Sequence, residues 1–175
     1  MNGFRPRIKF ITHVALYLAL AVLLPLGFHA FGVGGRVFLP MHIPVLLAGF
    51  LTGPWCGLIV GLLGPAASFL LTGMPPTYAV PLMTLELAVY GLIAGIAYQR
   101  LKLNIYVALL AALILGRLVF ALGLIVLGRF MELPYTVAVF FSSTGAVVAG
   151  LPGIAVQIVI IPIVVAALKR YRTNA

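Results

Sequence analysis

The chain has 175 residues, of which 64% are hydrophobic and 7% are charged, and its mean hydropathy is +1.26. Soluble domains have about 45–50% apolar and about 25% charged residues, so this composition excludes a soluble globular domain, a disordered chain and a secreted disulfide scaffold. A net charge of +9 is also common in nucleic-acid-binding proteins. Here the basic residues lie at the edges of apolar runs, as in membrane proteins, so we expect a lipid bilayer and no nucleic acid as the partner.

Six apolar runs are candidate membrane spans: residues 10–30, 38–52, 55–72, 78–98, 105–127 and 144–168. The runs are continuously apolar, which favours helices over a β-barrel. A spanning helix needs about 20 residues, so the second and third runs, which contain Pro40, Pro44 and Pro65, are predicted to be short helices inside the bundle. The sequence thus predicts an all-α integral membrane protein, a six-helix bundle with one membrane domain over residues 1–175.

The basic residues also predict the orientation of this bundle. With six spans both termini lie on one side, and eight of the eleven basic residues fall on that side: Arg5, Arg7, Lys9, Arg100, Lys102, Lys169, Arg170 and Arg172. Cytoplasmic loops carry an excess of Lys and Arg. We therefore expect both termini in the cytoplasm of a multi-pass protein of a bacterial or archaeal cell (inner) membrane.

Two charged residues lie within the predicted spans. Glu86 is about 12 Å from the outer end of the fourth helix and Arg117 about 16 Å from the outer end of the fifth, at 1.5 Å per residue. Charges in a membrane usually face a partner or a cavity. One interpretation of Glu86 and Arg117 is a structural ion pair, and the other is that they line an outward-facing polar pocket, which is compatible with pairing. Tyr90 (four residues after Glu86) and Phe120 (three after Arg117) share their helix faces. Such aromatic walls suit a small ring-bearing polar ligand.

Three further polar residues are candidates for the same pocket. Gln157 lies halfway along the sixth predicted helix, where its alternative role is an interhelical hydrogen bond. Arg36 belongs to a glycine-rich loop that would allow a mobile lid, and His42 begins the second predicted helix. For both loop residues, ordinary turn chemistry is the alternative. The three histidines are scattered along the chain, so no metal site is expected.

Small residues four positions apart occur in three of the predicted helices. Ala15 and Ala19 form such a pair in the first helix, and two glycine pairs, 57 and 61 and 91 and 95, do so in the third and fourth. This spacing lets helices approach closely. Packing inside the bundle is its simplest explanation.

The residue types of this chain offer little for an enzyme active site. The chain has no Asp, and Glu86 is the only acid within a predicted span. It has neither a Walker lysine nor an aspartate for magnesium, so it cannot use ATP on its own. We expect a transport subunit that is no enzyme and carries no cofactor, with its energy supplied by a partner or an ion gradient. An ion-coupled carrier would usually show inverted repeats and more membrane carboxylates.

With these features the chain resembles the substrate-binding S components of energy-coupling factor (ECF) vitamin transporters. The resemblance rests on the six short helices, the Ala15-x-x-x-Ala19 pair, the segment from Gly34 to Gly49 with the Gly/Pro-rich segment that follows it, and Glu86-Leu-Ala-Val-Tyr-Gly91. It implies high-affinity capture of a vitamin from outside the cell. It also implies a transmembrane T component and two ATPase subunits as partners, with the alanine pair as the docking surface.

The resemblance leaves the substrate open. A cobalamin precursor (dimethylbenzimidazole or α-ribazole), pantothenate and other B vitamins are the candidates. A self-sufficient small membrane carrier or channel is the alternative function.

Overall fold

The structure is a computed structural model, and it describes residues 4–30, 38–130 and 146–174, together with residues 133, 136 and 138. In these residues all regular secondary structure is helical. In chain order the helices are α1 (Phe4–Ala30), α2 (His42–Leu51), α3 (Pro54–Thr72), α4 (Ala79–Gly95), α5 (Ile105–Leu127), α6 (Ala146–Ala149) and α7 (Leu151–Asn174). A π-helix, Ile96–Arg100, continues α4 directly.

Five helices of the described chain are long and apolar enough to cross a membrane: α1, α3, α4 with its π-helical extension, α5 and α7. The fifth predicted span agrees with α5 at both ends. The third was expected to be short, but α3 has 19 residues and continues through Pro65. The last predicted span was 144–168, whereas α7 begins at Leu151 and ends at Asn174.

The second predicted span is a short interior helix. It was expected over residues 38–52, but α2 has only 10 residues, about 15 Å at 1.5 Å per residue, which is half of a hydrocarbon core about 30 Å thick. Its N-terminal start is delayed because Leu39 has a positive φ of 49°, outside helical geometry. Seven of its ten residues are buried, and it packs against α3, α4 and α7. The count of six spans and the side of the termini therefore remain predictions.

The ends of the neighbouring helices follow from local chemistry. Gly53 has φ of 126° and precedes Pro54, whose missing N–H costs nothing at the first helical position of α3. The Asn104 side chain accepts a hydrogen bond of 2.9 Å from the backbone N–H of Tyr106 and so caps the start of α5. These caps fix where α3 and α5 enter the bundle.

Helix α4 is the centre of the bundle, with α2, α3 and α5 packed around it, and α1 lies against α2 and α3. The closest approach is between α3 and α4, where glycines let the two backbones touch. A Cβ on Gly57 or on Gly91 would overlap the backbone of the other, and one on Gly61 would overlap that of Leu87. These glycines pack inside the bundle, and they bring α4 close enough for its polar residues to lie at the centre.

Candidate functional site

The two charges within the spans meet each other at the centre of the bundle. Arg117 Nη1 on α5 lies 2.9 Å from Glu86 Oε1 on α4. The carboxylate is 2% exposed and the arginine side chain 12% exposed, so the pair is withdrawn from the surface of the bundle. The two residues therefore lie side by side on adjacent helices, and their ion pair is compatible with both roles expected for them from the sequence.

Tyr90, one turn further along α4, forms a hydrogen bond with the same carboxylate. Its hydroxyl donates a 3.0 Å hydrogen bond to Glu86 Oε1, the same oxygen that faces Arg117. Tyr90 is fully buried. Two donors on one carboxylate oxygen satisfy much of the hydrogen-bonding capacity of a buried anion, which would otherwise be costly in this apolar interior.

His42 belongs to the same group through α2. Its Nε2 lies 3.8 Å from Glu86 Oε2, beyond hydrogen-bonding distance, and its ring centroid lies 5.2 Å from that of Tyr90. His42 is 1% exposed, and neither ring nitrogen has a hydrogen-bond partner in the part of the chain that the structure describes. It is thus a buried residue beside the carboxylate. An ordinary turn residue was the alternative expected from the sequence.

Gln157 is a second buried polar side chain with unmet hydrogen bonds. It is 0% exposed on α7, and both its amide oxygen and its amide nitrogen are without hydrogen-bond partners among the described residues. Helix α7 packs against α2 and α5, the helices that carry His42 and Arg117. Among the described residues Gln157 makes no interhelical hydrogen bond, and both roles expected for it stay predictions.

Phe120 lies in a different group of buried residues. Phe120 is buried with Leu82, Ala121 and Leu124 in a separate small apolar cluster. Leu82 lies one turn before Glu86 on α4, so Phe120 is nearer to the Ala79 end of that helix. Arg36 lies outside the described residues, and its predicted role stays a prediction.

One residue of the site was missed by the sequence analysis. A Cβ on Gly116 would overlap the ring of Tyr90, so the tyrosine lies against α5 only because position 116 has no side chain. The only sequence signal is that Gly116 directly precedes Arg117. That signal is weak, because glycine is frequent throughout this chain.

The four residues Glu86, Arg117, Tyr90 and His42 are called the central polar cluster below. It offers a carboxylate, a guanidinium, a phenol and an imidazole, the mixture of polar groups and aromatic walls that binds small polar molecules. Within the residues that the structure describes, no three His, Cys, Asp or Glu side chains are close enough together to hold a metal ion.

The alanine pair of the first helix lies on the outside of the bundle. Ala15 and Ala19 are exposed, whereas Tyr17 and Ala21 on the same helix are buried against the core. The pair is therefore not used for packing within the described chain.

Comparison with known protein families identifies the chain. The model of the family described as "ECF transporter, substrate-specific component" matches residues 9–165, which is most of the sequence. The chain belongs to this family. No curated relative and no solved structure matches it. It is thus a multi-pass membrane protein and the substrate-specific component of an ECF importer, a transport subunit.

Proposed function

We propose that this ECF component binds its substrate with high affinity, capturing a vitamin or vitamin precursor from outside a bacterial or archaeal cell. It would deliver the substrate through a partner module of a transmembrane T component and two ATPase subunits. Membership of the ECF family supports the transport role. The central polar cluster supports a binding site within the bundle.

The observation that carries the binding role is a set of buried polar groups without partners. Both ring nitrogens of His42 and both amide atoms of Gln157 lack hydrogen bonds in the described structure. Leaving a buried donor or acceptor unsatisfied costs about 1–3 kcal/mol per group. If these positions served only helix packing, apolar residues of the same shape would make the folded chain more stable. A ligand with complementary donors and acceptors would meet these groups.

The chemistry of these residues also restricts the ligand. Tyr90 supplies an aromatic ring, and the imidazole of His42 lies beside it. Glu86 and Arg117 balance each other's charge, so a ligand need not bring a full charge to be accommodated. A small ring-bearing polar molecule fits this set of groups. Dimethylbenzimidazole and α-ribazole are such molecules, with pantothenate and other B vitamins as the other candidates.

The exposed face of α1 is proposed as the docking surface for the T component. Ala15 and Ala19 are one helical turn apart, and their small exposed side chains lie on the same outer face of the bundle. Small side chains let a second helix approach within van der Waals distance in a membrane. The alanine pair thus offers close contact to a partner helix without any change in the core.

Mass spectrometry of the small molecule that survives gentle purification tests this function, together with the subunits that co-purify. We expect a vitamin or vitamin precursor in about equimolar amount, and both T and ATPase subunits. In liposomes the chain alone should accumulate none of that molecule, whereas the complex should do so with ATP. Uptake by the chain alone, driven by an ion gradient, would instead identify a self-sufficient carrier.

A further inference from the structure

At the C-terminal end of α2, opposite His42, backbone carbonyls accept hydrogen bonds from a side chain of the π-helix that follows α4. The last four carbonyl groups of a helix have no partner within that helix. In α2 the Ala48 carbonyl accepts hydrogen bonds from the backbone N–H groups of Thr52 and Gly53, at 3.0 and 3.1 Å. The carbonyls of Gly49 and Phe50 accept from Gln99 Nε2, at 3.3 and 2.9 Å. Gln99 thereby provides the hydrogen bonds that the chain after α2 does not.

Gln99 reaches α2 from within the π-helix that continues α4. In this segment the backbone N–H of Leu101 bonds to the carbonyl of Ile96, at 3.0 Å, a wider turn than that of an α-helix. A π-helical turn contains an additional residue and so rotates the side chains that follow it. Such turns are rare overall, and those that occur are often located at functional sites.

The residue before Gln99 ties the same turn to two other helices. The Tyr98 ring packs edge-on against Phe50 of α2, with 5.2 Å between ring centroids. Its hydroxyl accepts a 2.8 Å hydrogen bond from Lys169 Nζ of α7. The π-helix therefore joins the ends of α2, α4 and α7. This end of the bundle, which also carries Arg100 and Lys102, is called the basic end below.

Helix α2 connects the basic end with the central polar cluster. His42 is its first residue and Phe50 is eight residues later, a distance of about 12 Å along the axis. Most of α2 is held by apolar burial, which is non-directional, so directed hydrogen bonds add a specific resistance to sliding of the helix along its axis. The two bonds from Gln99 are directed at the end of the helix, and they oppose such a movement.

We propose that Gln99 is a positioning residue, which sets the depth of α2 and thereby holds His42 beside Glu86 and Tyr90. A change at the basic end that withdraws Gln99 releases α2 and moves His42. That this movement weakens ligand binding rests on the proposed function. The mechanical coupling between Gln99 and His42 does not.

The test measures the environment of His42 directly and needs no ligand. The chain is labelled with ¹⁵N-histidine in detergent micelles, and the His42 ring signals are assigned by their loss in His42→Gln. Gln99→Met keeps the length of the side chain and removes the donor. We expect it to shift both His42 ring nitrogens by more than a line width and to leave those of His13 on α1 unchanged. Arg100→Gln, at the exposed neighbouring position, is the control and should shift neither.

Two further variants keep the result interpretable. Gln99→Lys retains N–H donors at this position and should move the His42 signals back towards the wild type. If Gln99→Met does not fold, Gln99→Glu provides the same readout, because a carboxylate of nearly the same shape donates no hydrogen bond. Unchanged His42 signals in the folded donor-free variant would overturn the proposal. Equal shifts in Gln99→Met and Gln99→Lys would overturn it too, because the donor would then be irrelevant.

Discussion

Glycine at position 116 determines whether Tyr90 can take part in the central polar cluster. The tyrosine ring occupies the space where a side chain of residue 116 would lie, and its hydroxyl reaches Glu86 from there. We expect Gly116→Ala to displace the ring, break the bond to Glu86 and cost about 1–3 kcal/mol of stability, as overpacking a core does. Thermal unfolding in detergent measures the loss. Gly123→Ala on the same helix is the control with a smaller expected effect, because its Cβ would meet only the flexible ends of Leu82, at 3.0 Å, and Leu85, at 3.7 Å. Equal loss in both variants would contradict this role of Gly116.

The charged and aromatic members of the cluster could be predicted from the sequence, but the geometry around them could not. Glu86 and Arg117 are conspicuous because a charge in an apolar run is costly, and Tyr90 follows from helical spacing. The place of His42 beside Glu86 depends on how α2 packs against α4, and the space at Gly116 depends on how α4 packs against α5. Neither packing leaves a periodic pattern in one sequence. The same reason explains why Phe120, which shares a helix face with Arg117, packs in a different cluster.

Among the elements, α3 and α4 depend on glycine for their close contact. A Cβ at Gly91 would overlap the backbone of Gly57, and backbone cannot move aside as a side chain can. Gly91→Ala should therefore lower the melting temperature, at a cost of about 1–3 kcal/mol or more. Gly64→Ala on α3 is the matched control. Its Cβ would meet the Ala21 Cβ at an ordinary 3.7 Å, and alanine is favoured over glycine in a helix by about 0.5–1 kcal/mol. A melting temperature for Gly91→Ala as high as that of the control would contradict the packing account.

The outward face of α1 gives a second prediction at this scale. Ala15→Leu with Ala19→Leu should abolish ATP-driven uptake by the complex, because the added bulk prevents close approach of a partner helix. The isolated chain should still fold and bind its ligand, since both positions are exposed.

Uptake in proteoliposomes and ligand binding in detergent are compared in this variant and in a control. Ala155→Leu with Ala166→Leu changes two exposed alanines of α7 and should leave uptake intact. If the α1 variant lost ligand binding together with uptake, the pair would be needed for the fold of the chain and not for docking.

The limits of helix prediction are clearest at α2. Its composition is as apolar as that of a span, but composition does not distinguish a helix that faces lipid from one enclosed by protein. The fifth helix was predicted correctly because its long apolar run, interrupted only by Arg117, is bounded by Asn104 and Gly128. The break before α2 depends on Leu39, a residue whose type gives no indication of a positive φ.

For the whole molecule, the distribution of basic residues predicts the orientation. Arg100 and Lys102 follow α4, and Lys169 and Arg170 lie in the last part of α7. The C-terminal ends of these two helices therefore carry positive charge. By the positive-inside rule we expect these segments in the cytoplasm. A reporter fused after Ala175 and one inserted at Lys102 should both give a cytoplasmic signal. A signal from outside the membrane at either position would contradict the six-span topology, of which five helices meet the length of a span.

The central claim is that the buried charges of this ECF component serve its ligand and not only its packing. Glu86→Gln or Arg117→Met alone leaves one charge buried without its partner, which should cost about 3–5 kcal/mol of stability, whereas the double replacement should be much milder. Each charged hydrogen bond lost to the ligand is worth about 1.5–3 kcal/mol, so affinity should fall at least about tenfold.

The most direct measurement is a calorimetric titration of the folded double variant, Glu86→Gln with Arg117→Met, with the small molecule identified from the wild-type protein. The account predicts a variant that folds and binds at least about ten times more weakly than the wild type. Wild-type affinity in the folded double variant would show that the two charges are structural, and would contradict the account.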